Sequence, residues 1–174
     1  MKKLNRKGFT LIELLAVIVI LAIIVVVTVP TIISTIADAR VQSIWNLAGE
    51  TANSYDTGVA QDLLTPGKAL QGATATTSWT CIGAVATTSE GKTLNNLAEV
   101  LDLSENDLIL NGEGKEPTYD SENNIVVASD TCSAIRLNGA GGAEVLLVAK
   151  TGGKFAISGK TVYALSTADN GVAK

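Results

Sequence analysis

The chain has 174 residues, enough for about one domain of ordinary size. It contains no His, which removes the commonest metal ligand and proton shuttle, and its two cysteines exclude a multi-disulfide scaffold and a four-ligand zinc site. Its 13 Lys+Arg against 17 Asp+Glu give a net charge of −4, which argues against a broad nucleic-acid-binding surface.

An uncharged, strongly apolar segment runs over 24 residues from Leu14 to Ala37. As a helix it is long enough to cross a bilayer core of about 30 Å. The first seven residues carry four positive charges: Lys2, Lys3, Arg6 and Lys7. These charges favour keeping this end in the cytoplasm. We therefore expect a membrane-spanning helix with the rest of the chain outside.

Two ordinary interpretations of this segment are less satisfactory. A secretory signal peptide has an apolar region of roughly 7–15 residues, shorter than this segment, and a small-x-small cleavage pattern after it. Residues 28–33 lack that cleavage pattern. A plain single-span anchor leaves Glu13 unexplained, a carboxylate among apolar neighbours. Ionisable groups cost roughly 2.5–3.5 kcal/mol at mid-membrane and usually have a partner. Glu13 therefore needs a partner that a plain anchor does not provide.

The sequence around Glu13 is specific. The run Lys7-Gly8-Phe9-Thr10-Leu11-Ile12-Glu13-Leu14-Leu15 resembles the processing site of a type IV prepilin, with a short basic leader ending in Gly, then Phe, then Glu as the fifth mature residue. The resemblance covers about the first 50 residues. It implies that prepilin peptidase removes leader residues 1–8 by cutting after Gly8 and methylates the new amino group of Phe9. The run from Leu15 to Ile24 looks most like pilin-type proteins of Gram-positive bacteria.

The resemblance implies a structural, non-enzymatic subunit of a type IV pilus or pilus-like filament, with no catalytic residue, metal or cofactor. The implied partners are further copies of the chain, prepilin peptidase, the pilus assembly machinery and the cytoplasmic membrane. A single-pass precursor with its N-terminus in the cytoplasm would then enter an extracellular filament, serving twitching, adhesion, secretion or DNA uptake. A pseudopilin of a secretion or DNA-uptake machine is the alternative within the family. A membrane-anchored surface binding protein that does not polymerise is the alternative from another class.

Glu13 has two candidate partners for its charge. One is the positive end of its own helix dipole, and the other is the Phe9 amine of a neighbouring subunit. Two unit charges about 4 Å apart attract by about 4 kcal/mol at an effective dielectric near 20, before desolvation is subtracted. A subunit out of register would leave both groups unpaired in a dry core, so the second pairing would set the axial register of a filament.

Pro30 lies inside the helical pattern. It removes the N–H that would bond the Val26 carbonyl, so we expect a kink near residues 26–30. Beyond it, apolar residues recur at three- and four-residue steps from Ile33 to Tyr55, which predicts an amphipathic half. We therefore expect a hydrophobic helix over residues 9–37 that continues as an amphipathic helix to about residue 55.

The remaining residues, 38–174, are predicted to form a globular α+β head. A loop region is expected over 56–92, with a turn at Thr65-Pro66-Gly67, and a short helix over about 94–102. A β-meander is expected over about 125–166. Its strand-like runs, together with an earlier short one, are 79–82, 125–128, 134–137, 145–149, 155–158 and 162–165. Short turns make neighbouring strands antiparallel, so we expect a C-terminal antiparallel sheet packed against the amphipathic helix.

Cys81 and Cys132 are predicted to form a disulfide within the head. Both lie on the side that the basic leader assigns to the exterior, where thiols oxidise. A disulfide that closes the long loop between Cys81 and Cys132 would stabilise the fold by roughly 4 kcal/mol on the chain-entropy model. The alternative is two buried free cysteines acting as small apolar residues.

The charged residues of the head give weaker signals. Eight acids lie between residues 99 and 122 with Lys115 as the one base, which predicts a solvated acidic face. A calcium site from Asp102, Glu105 and Asp107 lacks the D-x-[DN]-x-[DN]-G loop. Three lysines lie in the predicted meander: Lys150, Lys154 and Lys160. We interpret them as solubilising strand-edge lysines, with contact to DNA or to a neighbour's acidic segment as the alternative.

Overall fold

The computed structural model describes residues 10–64, 78–83, 98, 101–110, 113–122, 124–137 and 142–167. Helix α1 spans Leu11–Leu64, and the strands are β1 (Thr80–Cys81), β2 (Thr118–Tyr119), β3 (Ile125–Val126), β4 (Ala134–Leu137), β5 (Ala143–Val148) and β6 (Tyr163–Leu165). Strands β1, β4, β5 and β6 form a four-stranded sheet in that order, and β2 pairs with β3 separately. The predicted α+β class is confirmed. The leader, Gly8, Phe9 and most of the helix predicted over 94–102 lie outside the described residues.

The chain divides into two compact units, Met1–Asp38 and Ala39–Lys174. The first unit contributes the apolar part of α1, and its large apolar side chains from Leu11 to Ile36 are exposed on every side of the helix. Within the described part of the chain, α1 is the one helix long and apolar enough to cross a membrane. A helix that is hydrophobic all round is not stable alone in water and requires lipid or other helices around it.

Pro30 does not end the helix, which continues through it. Three hydroxyl groups near it donate to main-chain carbonyls inside the helix: Thr28 to Ile24 at 2.9 Å, and Ser34 and Thr35 to Thr31 at 2.9 Å. These bonds satisfy the hydroxyl donors without water, which suits an apolar environment. The kink predicted near residues 26–30 stays a prediction.

In the second unit, α1 packs one face on the sheet. Ile44, Ala48 and Tyr55 are fully buried, and they belong to a core cluster that includes Ile135 and Leu147 of the sheet. Their spacing of four and seven residues places them on one side of the helix. Gln42, Asn46 and Asn53, which lie on other sides of the helix, are exposed. The amphipathic pattern of the sequence therefore identifies the face that contacts the sheet.

The predicted helix end near residue 55 is wrong, because α1 continues to Leu64 and includes the first part of the predicted loop region 56–92. The composition of this stretch favours a loop, and two tertiary contacts hold it helical. Val59 packs against the main core cluster, and the Asp56 carboxylate accepts the Ala143 N–H at 2.9 Å. Leu64 is the last described residue of the helix, and the turn predicted at Thr65-Pro66-Gly67 lies outside the described residues.

The four-stranded sheet is covered on both faces. In β5, Val145 and Leu147 belong to the cluster on the helix side, while Leu146 and Val148 belong to a second cluster with Trp79 and Ile109. This alternation follows from the two-residue period of a strand. The β4–β5 and β5–β6 pairs are antiparallel neighbours, as expected for a meander. The short β1 extends the sheet by pairing with β4, which lies far away in the sequence.

Two strand predictions are corrected by the structure. Residues 155–158 form no strand: the segment after β5 turns through Gly152 and Gly159, with φ of 88° and 72°, and places Phe155 in the core. These positive φ values suit glycine. The run that begins at Ile125 forms only the two-residue β3 and leaves the meander, because it pairs with β2 in a separate hairpin closed around Asp120.

Candidate functional site

The start of α1 places Glu13 in a reciprocal hydrogen-bonded box with Thr10. The Thr10 main-chain N–H and hydroxyl both donate to Glu13 Oε2 at 2.8 Å, and the Glu13 N–H donates to the Thr10 hydroxyl oxygen at 3.3 Å. Thr10 precedes the first helical residue and Glu13 is the third, which is the geometry of a capping box. The carboxylate also lies where the helix dipole favours negative charge. One partner expected for Glu13 is the start of its own helix. At that start, Thr10 provides the hydrogen bonds to the carboxylate.

Thr10 is the residue of this box that the sequence analysis did not single out. The signal was present, because a Thr followed three residues later by Glu at the head of an apolar run is a capping-box pattern. The second expected partner of Glu13, the Phe9 amine of another subunit, involves a residue outside the described part of the chain. Gly8 lies there as well.

The box opens directly into the exposed apolar segment of α1. Leu11 and Ile12 are 82% and 74% exposed, and Glu13 is also exposed. The surface that follows has no charged side chain until Asp38. The arrangement is therefore a charged and hydrogen-bonded helix start followed by a long surface that can bury itself only in lipid or against other apolar helices.

In the head, Cys81 and Cys132 form a disulfide across a sequence separation of 51 residues, with a Cα–Cα distance of 5.7 Å. Cys132 is fully buried and Cys81 nearly so, within the cluster that also contains Trp79 and Ile109. The disulfide fastens the short edge strand β1 to Cys132, two residues before β4 begins. It therefore stabilises the layer on the sheet face opposite α1.

Arg136 on β4 holds a polar network that the sequence did not reveal. Its guanidinium lies 4.8 Å from the centre of the Trp79 ring and forms a 2.7 Å ion pair with Glu144 on β5. It also donates to the Tyr119 hydroxyl, which accepts the Trp79 indole N–H at 2.7 Å. Arg136 and Glu144 are direct cross-strand partners. Finding this pair in advance would have required the strand register, which comes from the tertiary fold.

Two of the three lysines of the predicted meander, Lys150 and Lys154, pair with acids of the same chain and are therefore not simply solubilising residues. Lys150 Nζ lies 2.6 Å from Glu113 Oε1. The Lys154 main-chain N–H donates to Asp107 at 2.9 Å, and Lys154 Nζ lies 3.5 Å from the same carboxylate. These contacts form because Lys150 N–H donates to the Asp107 carbonyl at 2.9 Å, which holds the acidic segment against the connection that follows β5.

These contacts also change the ionisation of the acidic segment. The Lys154 main-chain N–H, and more weakly its ammonium charge, lower the pKa of Asp107 below the ordinary value of 3.8, although burial acts in the opposite direction. An exposed 2.7 Å pair between Lys115 and Asp130 lowers the pKa of Asp130 and raises that of Lys115. Because Lys154 binds the Asp107 carboxylate, the candidate calcium site of Asp102, Glu105 and Asp107 loses one of its ligands. Among the described residues, no group of three acidic or Cys side chains could hold a metal ion.

Comparison with known proteins gives one finding. Residues 3–29 match the family model of the prokaryotic N-terminal methylation motif. No curated protein and no solved structure matches the chain significantly. The matched range contains Gly8, Phe9, the Thr10–Glu13 box and most of the exposed apolar segment. The chain therefore carries the prokaryotic N-terminal methylation motif, consistent with a type IV pilin-like prepilin.

Proposed function

We propose that this protein is a structural subunit of a type IV pilus or pilus-like extracellular filament and that it polymerises through its N-terminal helix. One observation carries the proposal: the methylation motif at residues 3–29 leads into a helix whose apolar side chains are exposed on every side. A signal peptide would be removed from the mature chain, and a plain membrane anchor needs neither the methylation motif nor the Glu13 carboxylate. A filament subunit needs the motif, the carboxylate and a retained apolar helix.

Processing is the first proposed step. Prepilin peptidase cuts after Gly8, whose lack of a side chain suits the close approach of a protease to the backbone. The cut removes the four basic residues of the leader and leaves 9 Lys+Arg against 17 Asp+Glu, a net charge of −8. Because those basic residues are the strongest cytoplasmic anchor of the helix, their removal frees it to leave the membrane. The new amino group of Phe9 is then methylated.

Assembly is the second proposed step. Lipid tails are as apolar as Leu, so hydrophobicity alone gives the helix little reason to leave the bilayer for a filament. The interaction that favours the filament over the bilayer is the charge pair between Glu13 and the Phe9 amine of the neighbouring subunit. Glu13 Oε2 already accepts two hydrogen bonds from Thr10, but a carboxylate offers about four acceptor positions. The capping box therefore orients the carboxylate and leaves it able to accept the amine.

The test is mass spectrometry of the N-terminus of the protein isolated from its native membrane and from sheared surface filaments. The proposal expects a chain that begins with methylated Phe9 in both fractions. An intact Met1 in the mature protein would refute the processing step. A processed chain found only in the membrane, or in short assemblies that do not extend from the cell surface, would favour a pseudopilin. A processed chain that never associates would favour the surface anchor.

A further inference from the structure

A basic groove lies beside the connection between β5 and β6. It has a volume of about 580 Å³, and the residues that define it for this argument are Lys150, Gly152, Ile157, Gly159, Lys160 and Thr161. Ile157 is half-buried and packs against the main core cluster, so the groove has an apolar element beside its lysines. The connection is held in place, because the Ala149 N–H donates to Val162 at 2.8 Å and the Ala156 N–H donates to Gly153 at 3.1 Å. The groove is therefore a formed surface of the head.

Lys160 is the unmatched charge of this groove. The other basic side chains in the described part of the head are all engaged: Arg40 with the Ala156 carbonyl, Lys115 with Asp130, Arg136 with Glu144, Lys150 with Glu113 and Lys154 with Asp107. Lys160 is exposed, and within that described part its ammonium group has no ion pair or hydrogen bond. An exposed cation beside an apolar floor suits an acidic partner that also carries apolar side chains.

The hairpin of β2 and β3 has that chemistry. We call residues 116–122 and 124–126 the acidic hairpin. Its Tyr119 and Val126 are each 43% exposed, and they are the large apolar side chains that are exposed in the described part of the head. Glu116 and Glu122 are exposed on the same hairpin and make no ion pair with the described residues.

The acidic hairpin is also preorganised for contact. The Tyr119 hydroxyl accepts hydrogen bonds from Trp79 and Arg136, which fastens β2 to the sheet. Asp120 accepts the N–H groups of Glu122 and Asn124 at 2.9 and 2.8 Å, which fixes the turn. A fixed loop loses little conformational entropy on binding.

We propose that the acidic hairpin of one copy docks into the basic groove of a second copy in the filament. This inference rests on the proposed function and adds a contact between heads to the assembly of the N-terminal helices. Two different patches of one chain that fit each other make a heterologous contact, and repeated heterologous contacts generate helical filaments. The charge pairs lie at the surface, so the contact is weakened by salt.

The experiment uses the full chain assembled into filaments by its own cells. Cysteines are introduced at Lys160→Cys and Glu122→Cys, singly and together, beside the native disulfide, and filaments are oxidised and run without reductant. The double variant is expected to give a ladder of cross-linked chains, while the single variants stay monomeric. Monomers from double-variant filaments would overturn the docking contact and leave the proposed function standing. The absence of any wild-type filaments would overturn both.

Charge reversal supplies an independent readout. Lys160→Glu and Glu122→Lys should each speed the dissociation of sheared filaments about fivefold at low salt, the scale of an exposed ion pair, and the double variant should restore the wild-type rate. Glu50→Lys is the matched control, because it reverses an exposed acid on α1, outside both the acidic hairpin and the basic groove, and should leave the rate unchanged. Equal effects of Glu50→Lys and Glu122→Lys, or additive effects in the double variant, would overturn the docking contact.

Discussion

Thr10 and Glu13 bond each other in both directions at the start of α1. Glu13 Oε2 accepts the Thr10 N–H and hydroxyl at 2.8 Å, and the Thr10 hydroxyl oxygen accepts the Glu13 N–H at 3.3 Å. The carboxylate is thus oriented by its own chain. Variants can therefore distinguish the role of Glu13 that the structure shows, capping its helix, from the role that we propose for it, pairing with a neighbouring subunit.

Glu13→Ala should be processed and inserted normally and yield filaments only at background level. If Glu13 pairs as we propose, the variant leaves the Phe9 amine of a neighbour unpaired in an apolar core, and breaking a buried pair in this way costs about 3–5 kcal/mol. Thr10→Ala is the control: it loses the cap, about 1 kcal/mol, and keeps the carboxylate, so it should retain most filaments. The measurement is the amount of sheared filament relative to membrane-bound protein. Equal losses in both variants would show that Glu13 acts only as a helix cap.

Gly8→Val should give a full-length, membrane-inserted chain without filaments. A branched side chain at the cleavage position obstructs the extended backbone that a protease must bind, so the leader persists. Asn5→Val introduces the same side chain inside the leader and should be processed. The mass of the N-terminal peptide decides the result, and normal filaments from Gly8→Val would contradict it.

Deleting residues 1–33 should give a soluble, monomeric head. The deletion removes nearly all of the exposed apolar side chains of α1 and keeps Ile44, Ala48 and Tyr55, which pack on the sheet. Sedimentation or light scattering without detergent measures the outcome. A correctly folded fragment that still associates strongly would place a second apolar interface in the head.

Replacing Cys81 and Cys132 together by Ala should lower the free energy of unfolding of that head by about 4 kcal/mol, the chain-entropy value for a loop of 51 residues. Urea unfolding with and without reductant provides the measurement. The double variant should be insensitive to reductant, whereas the unsubstituted head should lose comparable stability when reduced. Two free thiols per chain in the unreduced, unfolded head would contradict the disulfide itself.

Asp107→Asn should make the head less sensitive to acid. Because contacts with Lys154 lower the pKa of Asp107 in the folded state, its contribution to stability is present above its ordinary pKa of 3.8 and is lost as the pH falls through the lowered value. The variant should therefore lose about 1 kcal/mol at neutral pH, the scale of a partly exposed hydrogen bond to a charged group. As the pH drops below 4, the free energy of unfolding of the variant should fall less steeply than that of the unsubstituted head. Urea unfolding across that pH range provides the measurement.

Asp130→Asn is the control for that experiment. Its partner Lys115 also lowers the pKa of Asp130, so the sign of the pH effect is the same. Both side chains of this pair are largely exposed, however, at 52% and 82%, and exposed ion pairs contribute little. The Asp130 variant should change stability much less than the Asp107 variant. The opposite ranking would show that the Lys154 contact does not stabilise the head.

Local sequence was sufficient for every feature that depends on neighbouring residues. The 24 uncharged residues before Asp38 determine an apolar helix, the spacing of Ile44, Ala48 and Tyr55 by four and seven residues determines its buried face, and the Gly8–Glu13 run determines the motif. The Thr10–Glu13 box was also local and could have been predicted. These features need only the periodicity of a helix and the chemistry of a few adjacent side chains.

Only the tertiary structure decided the features that join distant parts of the chain. The helix end at Leu64 depends on contacts of Asp56 and Val59 with the head, and the separation of β3 from the meander depends on its pairing with β2. The local sequence pattern does not identify the partners of Lys150, Lys154 and Arg136, because each depends on which segments the fold brings together. Helical periodicity is fixed by residues a few positions apart, whereas strand register and ion pairing across the sheet are fixed by packing between segments far apart in sequence.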